Sequence, residues 1–441
     1  MPAMTEYDTI VVGSGAGGAT VARELAIKGK TVLLLEKGGR VNMMGNTLTM
    51  AFILKHFGLV RSREKNVVTI PNNYGGLSTL AAGCAAPPPG IVFDPVGVDL
   101  SAEAEKARPE MNIQVQPDEL IGKENLRLLE AANDAGYNWR KMEKFIDAAA
   151  CDGNGNCMLG CHTGAKFSAR TFGDEAIRHG ATLKLRTHIT DVLVENGKAI
   201  GVSGSRLGRK VRYHAKHVVL SAGVGNVHIL RQSGVKEAGQ GFCCDWLQFV
   251  GGIIPGMNTS RATPMSVGTL EHYETDGIAI LPVFPNWSQF AVMLMFMGWK
   301  SLIKFPNFWK YSGIMVKIRD ENAGRIYDGM SFSKPVTEQD AKKLKKGVSI
   351  IKNILKHAGA REDSIIELKP SGAHPSATCR IGDVVDENLQ TRIRNLYCCD
   401  ASVFPSSLGL PVVWTAVSLG KRLAAHLMSG GEASEGKDRS Y

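Results

Sequence analysis

The residues nearest the amino terminus that could carry chemistry are three glycines and one acid. Gly13, Gly15 and Gly18 have the spacing G-x-G-x-x-G directly after a short β-branched run. In this pattern the first glycine makes a tight turn, the second lets the backbone approach a pyrophosphate, and the third permits close helix–strand packing. About 20 residues later, Glu36 ends the next apolar strand, where an acid accepts a hydrogen bond from a ribose hydroxyl. The segment therefore predicts a dinucleotide site with the phosphates at a helix N-terminus.

A second group that could carry chemistry is a histidine near the other end of the chain. His374 precedes Pro375, and the acid-bearing segment 395–415 follows. Imidazole is the side chain whose unperturbed pKa lies near neutrality, so it suits a general base. We interpret His374 as the candidate proton acceptor. The alternative is a histidine that only caps the turn before Pro375.

The third group is a run of soft ligands. Cys151, Cys157, Cys161 and His162 fall within 12 residues. Their spacing matches neither the usual zinc pairs nor a ferredoxin run, although the ligand types leave zinc or part of an iron–sulfur cluster open. We expect a tight loop with buried or unreactive thiols and no metal.

These residues need elements to position them, and the sequence pattern predicts several. Residues 184–202 form a hairpin with Asn196-Gly197 at its turn. Residues 216–234 give a second strand, glycine turn and helix, which is how a two-part cofactor domain is often completed. Residues 71–90 combine paired glycines, small residues and prolines. Such backbone either lies against a flat cofactor or forms an ordinary surface loop.

Size and composition set further limits. At 441 residues the chain is too long for one ordinary core, so two closely joined domains are expected. The net charge of +10 has no long basic block and no recognition motif beside it, which argues against nucleic acid and favours an anionic membrane surface or acidic partner. The first strand begins too early for a leader peptide, and no apolar run is long enough to span a bilayer. We therefore expect a cytoplasmic protein, with nine cysteines that remain thiols.

The chain resembles the glucose–methanol–choline (GMC) oxidoreductases, the FAD-dependent alcohol oxidases and dehydrogenases. The resemblance covers roughly residues 7–235 and 315–428, and GCHTGAK is most similar to the branch with long-chain alcohol oxidases and gluconate-type dehydrogenases. Residues 240–314 match little. The stretches that carry the resemblance are VVGSGAGG…LLLE, YGGLSTLAAG, GCHTGAK, VVLSAGVGNVHILRQSG, GAHPSATCRIG and NLYCCDASVFPSSLG.

The resemblance implies FAD as cofactor and assigns residues to it. His374 falls on the family's active-site histidine, which accepts the hydroxyl proton while hydride goes to the flavin. Gly76 and Ser78 fall on the loop near the isoalloxazine, and Asp400 and Ala401 fall near the ribityl chain and pyrophosphate. The full set expected to bind FAD is Gly13, Gly15, Gly18, Glu36, Gly76, Ser78, Ile189, Ala222, Asp400 and Ala401.

One position departs from the family. After DASVFPSSLG the family usually places Asn or His as a second catalytic side chain, and here Pro411 occupies that position. Either His374 works alone, or Tyr74, Ser407 or Trp414 completes the site. A third alternative is different chemistry, such as reduction or desaturation of an apolar cyclic or enone substrate, or a flavin electron-transfer subunit without alcohol chemistry.

The resemblance also implies an α/β fold, α+β overall, with a Rossmann-type FAD-binding domain and a reduced substrate-binding domain. We place the FAD-binding domain at 1–235, with substrate-side insertions near 85–150, and the substrate-binding domain at 236–335. Residues 336–428 then complete both sites, and 429–441 form a disordered tail.

Residues 287–310 suggest the kind of substrate and partner. This stretch combines tryptophans, methionines and lysines, as interfacial segments do, although a substrate tunnel or a subunit contact would have the same composition. We expect an apolar alcohol as substrate and a quinone or a protein as electron acceptor. The protein would lie in the cytoplasm or on the inner face of the membrane, and an oligomer is compatible with the sequence.

Overall fold

The computed structural model of the chain describes residues 6–42, 44–45, 58–297 and 299–430. The strands in chain order are β1 (Glu6–Val12), β2 (Val32–Leu35), β3 (Leu59–Arg61), β4 (Val67–Thr69), β5 (Ile113–Val115), β6 (Arg140–Lys141), β7 (Glu143–Phe145), β8 (Thr182–Lys184), β9 (Thr187–Glu195), β10 (Lys198–Arg206), β11 (Arg209–Leu220), β12 (Gln240–Phe242), β13 (Trp246–Ile253), β14 (Val267–Gly268), β15 (Ile278–Pro282), β16 (Tyr311–Ile318), β17 (Gly324–Ile326), β18 (Phe332–Ser333), β19 (Ile366–Glu367), β20 (Ser371–Gly372) and β21 (Leu396–Cys398).

The helices connect these strands and cover the sheets. The α-helices are α1 (Ala16–Ile27), α2 (Gly90–Phe93), α3 (Ser101–Glu110), α4 (Asp118–Ile121), α5 (Lys123–Asp134), α6 (Ala169–Arg178), α7 (Gly225–Gln232), α8 (Tyr273–Asp276), α9 (Trp287–Met297), α10 (Glu338–His357) and α11 (Val413–Met428). Within the described ranges, no helix is long and apolar enough to cross a bilayer.

The first sheet has the order β8-β2-β1-β11-β10-β9, and β21 adds to β11. The strands β8, β2, β1, β11 and β21 are parallel to one another, whereas β10 is antiparallel to β11. The apolar runs of β1 and β2 are buried, and α1 packs against them. Helices α6 and α11 pack against α1. The sheet therefore takes strands from both ends of the chain and from its middle.

The second sheet has the order β15-β16-β13-β20-β4-β3, with β19 also paired to β13. Every residue of β16 is buried: β13 and β15 flank the strand within the sheet, and α10 packs against it. The register pairs Leu247 with Lys317 and Trp246 with Gly372. Residues that just precede β13, lie late in β16 or just follow β20 are therefore brought together.

The predicted local elements are confirmed. Strands β9 and β10 form the hairpin, and Asn196 and Gly197 both have positive φ at its turn. Strand β11, the turn after it and α7 form the predicted second strand–glycine–helix unit. The first helix begins at Ala16, earlier than the Ala19 to Lys28 stretch that the apolar pattern suggests. The predicted tail lies outside the described residues from 431 onward.

Candidate active site

The glycine turn after β1 is enclosed by backbone from distant segments. A methyl group on Gly13 would overlap the carbonyl oxygen of Ser221, at the end of β11. One on Gly17 would overlap the carbonyl oxygen of Cys399, which follows β21. Glycine is required where backbones approach this closely. The turn therefore forms only when three parallel strands end side by side.

Glu36 organises the same turn from the end of β2. One carboxylate oxygen accepts hydrogen bonds from the backbone N–H and the hydroxyl of Ser14, at 3.0 and 2.6 Å, and the other accepts from the Gly38 N–H at 2.6 Å. The loop that follows β4 closes over this arrangement, since the Gly75 N–H donates to the Ser14 hydroxyl at 3.0 Å. Gly76 lies against Gly15, so any side chain at Gly76 would press on the glycine turn.

Asp400 joins the two strand–glycine–helix units. Its carboxylate accepts from the Gly223 N–H at 2.6 Å, from the Asn226 amide at 3.1 Å and from the Ser402 N–H at 2.8 Å. Burial raises the pKa of Asp400 above its usual value, and these donors oppose that rise. Asp400 thus holds the end of β21 against the turn between β11 and α7.

The other residues assigned to the cofactor lie in different segments of the chain. Ala222 and Ala401 flank the Asp400 contacts, since the Ala222 N–H donates to the Asn226 side chain. Ser78 ties the loop to itself, because its hydroxyl donates to the Gly75 carbonyl and accepts from the Ala169 N–H. Ile189 lies buried in β9. Their contacts to FAD remain predictions.

The space at the start of α1 suits an anion. Across the described residues, no side chain caps this helix and no acid lies in its first turn. A Cβ at Gly15 or at Gly223 would meet no protein atom within 4 Å. Free backbone N–H groups and the positive end of a helix dipole bind phosphate, so these residues fit the pyrophosphate of a dinucleotide.

Two buried lysines fix the loop that covers the glycine turn. Lys166 donates to the carbonyl oxygens of Thr79, Ala81 and Cys157 at 2.9, 2.7 and 2.9 Å. Lys144 donates to the carbonyl of Ala82 at 3.0 Å. Burial lowers the pKa of Lys166 to about 8. The lysine of GCHTGAK therefore has a positioning role.

His374 lies two residues beyond β20, where its N–H donates to the Cys244 carbonyl at 3.0 Å. Its side chain is 23% exposed. The ring nitrogen Nδ1 lies 2.9 Å from the Asp245 carboxylate and 2.7 Å from the Lys317 ammonium. Burial and the neighbouring Lys317 lower the pKa of His374 below its usual value, so the neutral base form persists to lower pH. Since Nδ1 faces these two groups, Nε2 is the nitrogen left for a substrate.

Asp245 stands just before β13 with φ +47°, a conformation uncommon outside glycine. One carboxylate oxygen accepts from the Ser407 hydroxyl at 2.5 Å and from the Gly409 N–H at 3.0 Å. The other lies 3.1 Å from the Lys317 ammonium. Lys317 and His374 hold the pKa of Asp245 well below its usual range despite complete burial. This residue therefore carries a negative charge directly behind His374.

Lys317 reaches the same point from β16. Its side chain is 1% exposed, and the ammonium also donates to the Leu410 carbonyl at 2.6 Å. Burial lowers the pKa of Lys317, and the Asp245 carboxylate opposes this decrease. The lysine contacts the residue that precedes Pro411, so a charged group approaches the region where the family's second polar side chain is missing.

A second buried ion pair supports the first. Lys334 and Asp320 are 2.7 Å apart and fully buried. Asp320 accepts from the backbone N–H groups of Cys244 and Asp245 at 3.2 and 2.8 Å, which fixes the strained turn before β13.

Of the three side chains considered as replacements for the family's second polar group, only Ser407 contacts the site. The Tyr74 hydroxyl donates to Asp174, and the Trp414 N–H donates to the Ala104 carbonyl. Those two suggestions were wrong. The sequence reasoning also missed Asp245 and Lys317. A lone lysine in the apolar run YSGIMVKI was the available signal, because a buried ammonium needs a partner.

The cysteine loop lies beside Lys166 rather than beside His374. Cys151, Cys157 and Cys161 are partly buried and, like the other six cysteines, free. Residues 151–157 and 160–166 line a small cavity. Over the part of the chain that the structure describes, no group of three His, Cys, Asp or Glu side chains is placed to hold a metal ion.

Comparison with known protein families gives three matches. The model of the GMC oxidoreductase N-terminal domain matches residues 98–254, and that of the GMC oxidoreductase C-terminal domain matches residues 325–420. The NAD(P)-binding Rossmann-like domain matches residues 11–49. The family match thus continues past residue 235, where the sequence resemblance was placed to end, and includes Asp245.

Similar proteins extend this result. The uncharacterized protein MJ1450 of Methanocaldococcus jannaschii is 27% identical over 96% of this chain and 100% of its own length. Long-chain-alcohol oxidase FAO4A of Arabidopsis thaliana is 24% identical over 94% of this chain and 67% of its own. Among solved structures, formate oxidase superposes with a TM-score of 0.75 at 14% identity, covering 97% of this chain and 98% of that one.

Proposed function

Because the chain belongs to the GMC oxidoreductase family, an FAD-dependent enzyme class, we propose that it oxidises an apolar alcohol. The observation that carries this proposal is the position of His374. It is the half-buried imidazole of the site, its Nδ1 is held by charged groups, and its lowered pKa favours the neutral ring that can act as a base. An alcohol must lose a hydroxyl proton as it loses hydride, and a neutral imidazole suits that task.

FAD, when bound at the glycine turn, supplies the hydride acceptor. The chain's own residues supply position and proton transfer. Asp245 and Lys317 fix the ring of His374, so Nε2 points consistently toward the substrate hydroxyl. The loop tied by Lys166 and Lys144 keeps the backbone that covers the cofactor in place.

An apolar substrate is supported by the strands that carry the site. Lys317 lies six positions along β16 from Tyr311, which directly follows residues 287–310. At about 3.3 Å per residue the two positions are roughly 20 Å apart. Leu302, Ile303 and Trp309 are exposed at 41, 83 and 38%. These exposed apolar residues thus belong to the segment that leads directly into the strand carrying Lys317, and the relative named long-chain-alcohol oxidase agrees with an apolar substrate.

We further propose a quinone or a protein as electron acceptor, with the surface 287–310 resting on a membrane or on a membrane-bound partner. A quinone is itself apolar and would reach the site by the same route as the substrate. The test is reoxidation of the reduced enzyme by a soluble quinone and by oxygen in parallel. Faster reoxidation by oxygen would refute this part of the proposal.

The competing function is reduction or desaturation of an apolar substrate, and Pro411 favours it because the family's alcohol-oxidising pair is incomplete. One experiment separates the two. The purified enzyme is mixed anaerobically with primary, secondary and cyclic alcohols while the flavin absorbance is followed. Bleaching by an alcohol supports oxidation. Reoxidation of reduced enzyme by an enone, without bleaching by any alcohol, supports reduction. If the enzyme shows neither bleaching nor reoxidation, an electron-transfer subunit is supported.

Pro411→Asn is the informative variant for this choice. If it raises the rate of flavin reduction by alcohols, the site has drifted from the family's chemistry. If it lowers that rate, the arrangement of Leu410 and Lys317 has replaced the missing side chain.

A further inference from the structure

The contacts of Lys317 limit how many protons the site can hold and on which atoms they lie. Its ammonium nitrogen is within hydrogen-bonding distance of three atoms, namely the Leu410 carbonyl oxygen at 2.6 Å, His374 Nδ1 at 2.7 Å and an Asp245 carboxylate oxygen at 3.1 Å. Asp245 and His374 Nδ1 are also 2.9 Å apart. A charged lysine has three hydrogens to donate, whereas a neutral lysine has two and one lone pair.

Two arrangements place one hydrogen in each of the three contacts of the Lys317 nitrogen. In the first, charged Lys317 donates to all three neighbours, Nδ1 of His374 carries no hydrogen, and Nε2 carries one. In the second, neutral Lys317 donates to Leu410 and Asp245 and accepts the hydrogen of Nδ1, which leaves Nε2 bare. The imidazole is uncharged in both. The first arrangement holds one proton more than the second, because Lys317 and Nε2 each carry one more hydrogen and Nδ1 carries one fewer.

We propose that His374 relays the substrate's hydroxyl proton to Lys317, which holds it at the end of the reaction. This rests on the proposed function. The substrate O–H bond breaks and Nε2–H forms, while Nδ1–H breaks and a third N–H forms on Lys317. The substrate's hydride leaves to the acceptor named above, so the alcohol becomes a carbonyl compound and one proton is stored. In reverse, the stored proton serves reduction of a carbonyl.

The surroundings of Lys317 make its neutral form easier to reach than in an exposed lysine. Burial lowers the pKa of Lys317, and the Asp245 carboxylate limits that fall. A carboxylate this close would otherwise keep an exposed lysine charged throughout the working pH range. The titratable and charged groups that act on Lys317 are Asp245, Cys84 and Asp320. Cys244 and Tyr273 interact with Asp245, and Lys334 pairs with Asp320.

The other buried ion pair gives a matched control within the molecule. Lys334 also pairs with a buried aspartate, and it donates to the Glu321 carbonyl at 2.8 Å. The pKa of Lys334 is raised rather than lowered, because Asp320 outweighs burial. Its neighbours contain no imidazole among the contacts that the structure describes. Replacing it removes a buried ammonium whose described hydrogen bonds go to Asp320 and the Glu321 carbonyl, and not to His374 or Asp245.

The first test follows the ring itself. ¹⁵N-histidine spectra of the oxidised holoenzyme are recorded against pH, with His374→Asn to assign the signals. In the wild-type protein, His374 should change from the Nε2–H to the Nδ1–H form as pH rises, without becoming charged. Lys317→Met should abolish this exchange and leave the hydrogen on Nδ1, facing Asp245. Lys334→Met should retain the exchange. A wild-type ring that keeps one neutral form until it becomes charged would overturn the proposal.

The second test restores the missing base. Lys317→Ala should slow flavin reduction by an alcohol by about 10²-fold. Small primary amines added to the solution should restore the rate, more strongly for amines that are more basic, because they replace the lost acceptor. Lys334→Ala should show no amine response. Wild-type rates in Lys317→Ala, or a failure of every amine, would contradict the relay. If no alcohol reduces the wild-type flavin, the proposed function fails, and the ring spectra still decide the relay.

Discussion

Replacing Gly15 by valine should release FAD while the apoprotein stays folded, whereas replacing Gly17 by alanine should destabilise the apoprotein. The two glycines are two residues apart at the start of α1, but they face different surroundings. A Cβ at Gly15 meets nothing within 4 Å, whereas one at Gly17 overlaps the Cys399 carbonyl. The pair therefore separates loss of the cofactor from loss of the fold.

The magnitudes follow from these surroundings. Gly15 has φ −67° and ψ −176°, which other residues adopt easily. A side chain there restricts the unfolded chain, a gain of about 0.4–1 kcal/mol, and weakens the helix cap by a similar amount. The apoprotein should thus stay within about 1 kcal/mol of wild type. Gly17→Ala forces backbone apart, which costs about 1–3 kcal/mol.

For the affinity for FAD, we expect the larger loss in the Gly15 variant. A side chain at Gly15 occupies the path of the pyrophosphate, and each charged hydrogen bond lost is worth about 1.5–3 kcal/mol, roughly 10- to 150-fold in Kd. Urea unfolding of the stripped apoproteins gives the stability, and quenching of flavin fluorescence on titration gives the Kd. Wild-type affinity in Gly15→Val would refute the placement of the pyrophosphate. An apoprotein as unstable as Gly17→Ala would show that protein fills the space.

Three further predictions test other parts of the site. His374→Asn should slow flavin reduction by about 10²–10⁴-fold with the bound-flavin spectrum unchanged, and full activity would remove the assignment. Lys166 has a folded pKa of about 8 against 10.5 unfolded, so the folded state holds fewer protons between these values. Stability should therefore rise with pH across that window, and the rise should vanish in Lys166→Met. Finally, anionic liposomes should float the protein at low salt, Ile303→Asp should abolish flotation, and Leu207→Asp, also exposed but elsewhere, should not.

The sequence predicted those parts of the site that depend on local pattern. The glycine spacing, Glu36 and the strand–turn–helix at 216–234 need only neighbours in the chain, and the structure contains each of them. His374 was found through a family motif that is also local. Asp245 and Lys317 are different, because the pairing of β13 with both β16 and β20 brings them to His374. Asp245 and Lys317 lie about 70 residues apart in the sequence, and strand pairing at that separation leaves no local periodicity. The pattern alone could therefore not connect Asp245 with Lys317.

The roles of single polar residues were hard to predict for a related reason. Tyr74 and Trp414 were plausible partners for His374 because they lie near family motifs. In the structure the Tyr74 hydroxyl donates to Asp174 and the Trp414 indole N–H donates to the Ala104 carbonyl, so both donors are bonded to segments other than the one that carries His374. Which acceptor a buried donor finds is decided by tertiary packing, and sequence proximity carries little of that information.

The closure of the glycine turn by Cys399 and Asp400 has a consequence for biosynthesis. The first strand and helix leave the ribosome almost 400 residues before the backbone that completes their cofactor site. At about 5–20 residues per second, the turn waits roughly 20–80 s for this backbone. For about the first half of that time β1 lacks β11 (Arg209–Leu220) beside it, and a growing chain cannot hold FAD as the finished protein does. Cofactor capture is therefore a late event, and the nascent chain must keep the apolar edge of its first strand from aggregating until β11 is made, without help from the ligand.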